Sequence, residues 1–173
     1  MQTKRIVLTG LMIALGLVLP IAVSFIPNGG TLFSPMHIPA LLAGLVLGPV
    51  EGLITGVATP LLSHLLRGMP PAPVAAAMAV ELGVYGLVSG ICMRVLKDND
   101  MNEMVKLYIS LIVAMILGRI AGGIFRGLIL NAGEYTMAMW FTSYVVSTIP
   151  GMITHLILIP ILARALRKAG FTS

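Results

Sequence analysis

The chain has 173 residues, 58% of them hydrophobic and only 10% charged, with a mean hydropathy of +1.02. That composition excludes an ordinary soluble domain, which would expose aggregation-prone apolar patches. The net charge of +5 gives no reason to invoke nucleic acid, because the basic residues gather beside apolar runs. The one cysteine, Cys92, excludes an intrachain disulfide and argues against a thiolate metal site.

The apolar runs are continuous rather than alternating, so the solvent is lipid and the secondary structure helical, not a barrel. The expected fold is an all-α polytopic membrane protein, six transmembrane helices in a compact bundle forming a single domain over residues 1–173. In chain order, the first helix is expected over residues 4–26 and ends at the turn signal Pro27-Asn28-Gly29-Gly30. The start resembles a signal peptide in charge, but no small-x-small cleavage site precedes Pro20, so it reads as a retained helix. The second run, residues 36–47, stops at Gly48-Pro49. The third, 50–66, runs into Arg67-Gly68-Met69-Pro70-Pro71. Both are short for a full crossing, which predicts that they shelter behind other helices or begin irregularly near Pro35. The fourth, fifth and sixth spans are expected over residues 73–96, 104–130 and 139–166.

Eight of the eleven Lys and Arg residues lie at the N-terminus, in the loop between spans four and five, and at the C-terminus. The excess of positive charge on cytoplasmic flanks predicts that both termini face the cytoplasm. Glycines at four-residue intervals (Gly44, Gly48, Gly52 and Gly56; Gly86 and Gly90; Gly118 and Gly122; Gly123 and Gly127) read as close helix packing. Gly10 and Ala14 differ, forming a small-residue face near the cytoplasmic end of the first helix that suits docking of another protein's helix.

Arg119 and Arg126 stand in an otherwise uncharged run from Leu107 to Leu130, and Glu81 in another. A guanidinium facing hydrocarbon costs about 2.5–3.5 kcal/mol on insertion scales. Such side chains are therefore expected to face a partner, a cavity or an anion. Arg126 lies near the outer end of span five and Arg119 two turns deeper on nearly the same face. Arg67 and His37 sit at the same end. An anionic solute entering from outside would meet these guanidinium forks, which grip carboxylates and phosphates in bidentate fashion. Glu81 either pairs with Arg119 or accepts a donor from the solute. Tyr85 lies one turn from Glu81 on the same face. Asn131 suits a solute or a helix cap, and Trp140 and Tyr144 suit an interfacial belt or a lid. The segments around Asn28-Thr31 and Gly68-Pro71 flank the expected entrance as candidate gates.

Catalytic signatures are weak. His37, His64 and His155 fall in three different helices without paired spacing, and no HExxH, GxSxG or phosphate-binding loop occurs. Ser63-His64 is a poor nucleophile–base pair, since adjacent helical side chains diverge by about 100°. No catalytic residue, metal ligand or cofactor is expected, and lone membrane histidines are expected to bond backbone carbonyls. The open alternatives are a self-sufficient secondary carrier or channel and, behind it, a membrane enzyme.

The run Phe33-Ser34-Pro35-Met36-His37-Ile38-Pro39-Ala40-Leu41-Leu42-Ala43-Gly44-Leu45-Val46-Leu47-Gly48-Pro49 resembles the second span of substrate-binding S-components of energy-coupling factor (ECF) vitamin transporters, as does the pattern of six helices in a short chain. The resemblance implies a bacterial plasma-membrane protein that captures a vitamin from outside. It would associate with a transmembrane coupling subunit and two cytoplasmic ATPase subunits, and Gly10-Leu11-Met12-Ile13-Ala14 matches the family's docking face on helix one. The arginines favour an anionic vitamin, and few tryptophans argue against a large ring stacked on both faces. Pantothenate fits best, with folate, cobalamin, a pyridoxine-like or pyrimidine precursor and a queuosine precursor as alternatives. The expected solute-binding residues are His37, Arg67, Glu81, Tyr85, Arg119, Arg126, Asn131, Trp140 and Tyr144, with Gly10 and Ala14 for partner docking.

Overall fold

The computed structural model describes residues 2–130 and 136–171, all helical or in short connections, with no strand among them. Helix α1 (Gln2–Ala22) is followed by a five-residue helix α2 (Gly29–Phe33), then by α3 (His37–Val46), α4 (Pro49–Arg67) and α5 (Ala72–Val95). Helix α6 (Glu103–Phe125) runs into a π-helical turn (Arg126–Leu130). The last crossing comprises α7 (Met137–Tyr144), a 3-10 turn (Val146–Thr148) and α8 (Ile149–Lys168). Among the described residues, five helical stretches are long and apolar enough to cross a membrane: Thr3–Ala22, Gly29–Val46, Ala72–Val95, Glu103–Leu128 and Met137–Lys168. The third expected span, α4, has 19 residues but carries Glu51, Thr55, Thr59, Ser63 and His64. Its Thr55 and Thr59 hydroxyls are satisfied by donating to the carbonyls of Glu51 and Thr55, one turn earlier.

Three local expectations are corrected. The first helix ends at Ala22 rather than Ile26, and residues read as a connection wind into α2. The sixth span is broken: Pro150 lacks an N–H to continue a helix from α7, and the β-branched run before it turns as a 3-10 segment. Of the series Gly44, Gly48, Gly52 and Gly56, read as close helix packing, Gly48 has another role. Gly48, at φ +129°, turns the chain between α3 and α4, a conformation that favours glycine.

Helix α3 is the axis of the bundle. All ten of its residues are buried, and it touches α1, α4, α5, α6 and α8. The short second span is thus sheltered inside protein, not spanning lipid unaided. Glycines let the central layers close: a Cβ at Gly44 or Gly52 would collide with the backbone of Gly86, and one at Gly56 with that of Leu82. The outer surface is apolar, with Ile6, Val18, Leu65, Ile116 and Ile157 all exposed, as a lipid solvent permits and water does not.

The termini meet at one end, where Lys4 Nζ donates to the Gly170 carbonyl at 2.7 Å. There the C-terminal carbonyls of α3 and its exit are capped from both sides. Arg5 of α1 donates to Leu47 O at 3.0 Å and pairs with Glu51 of α4 at 2.8 Å. Arg167 of α8 donates to Leu45 O and lies 3.7 Å from Glu103 of α6. Cations at a helix C-terminus complement its dipole and its unpaired carbonyls.

Candidate functional site

A cavity of about 920 Å³ occupies the end of the bundle opposite the termini. Its rim comes from Asn28-Gly29-Gly30-Thr31 at the start of α2 and from Met69-Pro70-Pro71 before α5, the two segments expected to flank an entrance. Its wall and floor include His37, Arg67, Glu81, Arg119 and Arg126.

The acidic floor is built by α3 and α5. Glu81 and Tyr85 share a face of α5, and the Tyr85 hydroxyl donates to Glu81 Oε1 at 2.8 Å. The Tyr85 ring, fully buried, occupies a slot that exists because residue 118 of α6 is glycine. His37, in the first turn of α3, brings Nε2 to 3.5 Å from the same Glu81 oxygen and its ring to 5.3 Å from that of Tyr85. Oε1 is therefore engaged, while Glu81 Oε2 has no protein partner among the described residues.

The basic wall comes from α6 and α4. Arg119 is 7% exposed, and its Nη1 donates to the Thr148 hydroxyl at 2.8 Å, where the 3-10 turn meets α8. Its Nε is buried without a partner. Arg126, half-buried in the π-helical turn, has no hydrogen bond or ion pair among the described residues. Arg67 is exposed at the rim, and its Nη2 donates to Ser63 Oγ at 2.7 Å. Ser63 in turn donates to Met69 O at 2.6 Å, and His64 Nδ1 lies 2.9 Å from Pro70 O. Ser63 and His64 thus pin the connection between α4 and α5, and the Ser63 proton is committed to a carbonyl rather than to an imidazole base.

Of the residues expected to meet a solute, His37, Arg67, Glu81, Arg119 and Arg126 line the cavity together. Tyr85 stands behind Glu81 and does not line it. Trp140 does not line it either: its indole packs on Gly123, and its Nε1 donates to the Arg119 carbonyl at 3.3 Å, on the seam between α6 and α7. Asn131 and the Tyr144 side chain lie outside the described residues. The Glu81–Arg119 pair does not form: Glu81 faces His37 instead, and Arg119 faces Thr148. Backbone bonding, expected of lone membrane histidines, holds for His64; His155 sits against the Phe33 and Ser34 carbonyls outside strict hydrogen-bond geometry, and His37 Nδ1 has no partner.

Ser143, Ser147 and Thr148 also line the cavity and were not anticipated. For Ser147 and Thr148 the signal was present in Val145-Val146-Ser147-Thr148-Ile149-Pro150. Proline has no N–H with which to continue a helix from α7, so a break just before it would turn polar side chains inward.

Residues 4–166 match the family model for the ECF transporter, substrate-specific component. The chain belongs to that family. No curated protein and no solved structure matches it. The chain is accordingly a substrate-binding component of an ECF transporter, a multi-pass membrane protein that binds a small molecule and works with ECF module partners. It is a member of a transporter family rather than of an enzyme family.

Proposed function

We propose that this S-component captures pantothenate, or a close anionic relative, from outside the cell and delivers it for ATP-driven uptake. The whole chain acts as one six-helix unit with both termini in the cytoplasm of a bacterial cell. A transmembrane coupling subunit docks along Gly10 and Ala14, and two cytoplasmic ATPase subunits supply the energy. Both docking residues are exposed on α1, and a Cβ added at Gly10 would meet nothing within 4 Å.

The observation that carries the reading is the charge imbalance of the cavity: Arg67, Arg119 and Arg126 against Glu81 as its one carboxylate among the described residues. Buried or half-buried guanidinium groups without carboxylate partners favour an anion. The described lining contains no Phe, Tyr or Trp, which disfavours a flat ring stacked between aromatics. It contains Ser34, Ser143, Ser147 and Thr148, suited to hydroxyls and an amide. A volume of about 920 Å³ is at the upper end of the range for small-molecule pockets.

The deciding experiment is mass spectrometry of the small molecule that copurifies with the chain, followed by calorimetric titration. In liposomes the chain alone should bind pantothenate without accumulating it, and the complex should accumulate it only with ATP on the cytoplasmic side. Accumulation by the chain alone would favour a self-sufficient carrier, and a copurifying compound without an anionic group would overturn the proposed chemistry.

A further inference from the structure

His155, on α8, is the polar residue of the bundle interior with the least explained position. It is 1% exposed, and its ring stacks on that of His37 with centroids 5.7 Å apart and planes 22° apart. The Phe33 and Ser34 backbone lies next to its ring, though outside strict hydrogen-bond geometry. It does not line the cavity. The specific side-chain contact that His155 makes is through its ring face.

That face meets His37, which is caught between three groups: His155 on one side, the Tyr85 ring at 5.3 Å, and Glu81 at 3.5 Å from Nε2. His37 has no other hydrogen-bond anchor, since its Nδ1 is buried and unpartnered. Remove the His155 ring and the imidazole gains room to turn its Nε2 edge off the carboxylate.

We infer that His155 is a positioning residue: it holds His37 against Glu81 Oε1 and so presents the second carboxylate oxygen to the solute. The floor is then an obligate acceptor. The solute it selects carries a hydroxyl, amide N–H or ammonium donor opposite its anionic group. This rests on the cavity being the solute site, and the test separates the two.

The chain has three histidines, so imidazole ¹H–¹⁵N spectra of the labelled full-length protein in detergent are sparse, and the signals lost in His64→Gln and in the His155 variants leave those of His37 identified. Two readouts are compared in wild type, His155→Ala and His155→Phe. One is the position and width of the His37 signals. The other is the preference for pantothenate over its analogue lacking the secondary hydroxyl. His155→Ala should shift and broaden the His37 signals and reduce the preference on the order of tenfold, the worth of one hydrogen bond to a charged group. His155→Phe, which restores a ring face, should bring both back most of the way. Unchanged signals and preference in His155→Ala overturn the inference, as does a His155→Phe protein that behaves like the alanine variant. If His155→Ala does not fold, His155→Leu supplies the comparison without a ring. Should wild type bind neither compound, the pantothenate reading fails and the His37 signals alone decide the role of His155.

Discussion

Arg119 Nη1 and Thr148 Oγ1 are 2.8 Å apart, joining α6 to the start of α8 across 29 residues of sequence. The contact ties a guanidinium at membrane depth to the point where the last crossing is broken. The break gives the cavity its wall of Ser143, Ser147 and Thr148, and it gives Arg119 a neutral partner that leaves its charge uncompensated. An ion pair in the same place would neutralise the guanidinium and compete with an anionic solute. A hydroxyl orients the fork without neutralising it.

Arg119→Ala should weaken binding of an anionic solute by roughly 10–100-fold, the loss of a charge-assisted hydrogen bond of about 1.5–3 kcal/mol. Arg126→Ala should cost less, because that side chain is only half-buried. Isothermal titration on the folded, purified chain measures both, and unchanged affinity in both variants would refute the basic wall as a binding surface.

Tyr85→Phe removes the hydroxyl that donates to Glu81 Oε1. The carboxylate loses its strongest protein donor in a buried setting, so the folded state should lose about 1–3 kcal/mol. Thermal unfolding in detergent reads the change as a lower Tm. An unaltered Tm would mean that another group replaces the hydroxyl.

Gly86 lies where α3, α4 and α5 close on one another, and a Cβ there meets the backbone of Gly52. Backbone cannot swing aside as a side chain can. Gly86→Val should therefore destabilise by about 1–3 kcal/mol or more, the usual penalty for overpacking, seen as poor yield and a lower Tm.

The clamps at the end bearing the termini predict a contrasting phenotype. Arg5→Ala or Arg167→Ala removes a cap from the end of α3 and should lower stability by about 0.5–2 kcal/mol. Solute affinity should stay within twofold, because the cavity is at the other end. A large loss of affinity would show that the two ends are coupled.

Gly10→Trp combined with Ala14→Trp fills an exposed face of α1 without touching the bundle. Pull-down with the coupling subunit should fail while titration of solute stays unchanged. Retained complex formation would move the docking surface elsewhere.

Composition dictated a lipid solvent and helices, because hydrocarbon admits few other ways to satisfy a backbone, and the order of apolar runs along the chain gave six segments. It also put the arginines inside, since a guanidinium in a lipid-facing position is expensive. Pairing was another matter. In helices apolar all round, no stripe marks the inward face, so nothing along the chain distinguished a Glu81–Arg119 pair from the observed arrangement of Glu81 with His37 and Arg119 with Thr148. Those partners lie on different helices, and the rotation and depth of each helix are decided by glycine contacts such as those at Gly86 and Gly118, which exist only once the helices pack.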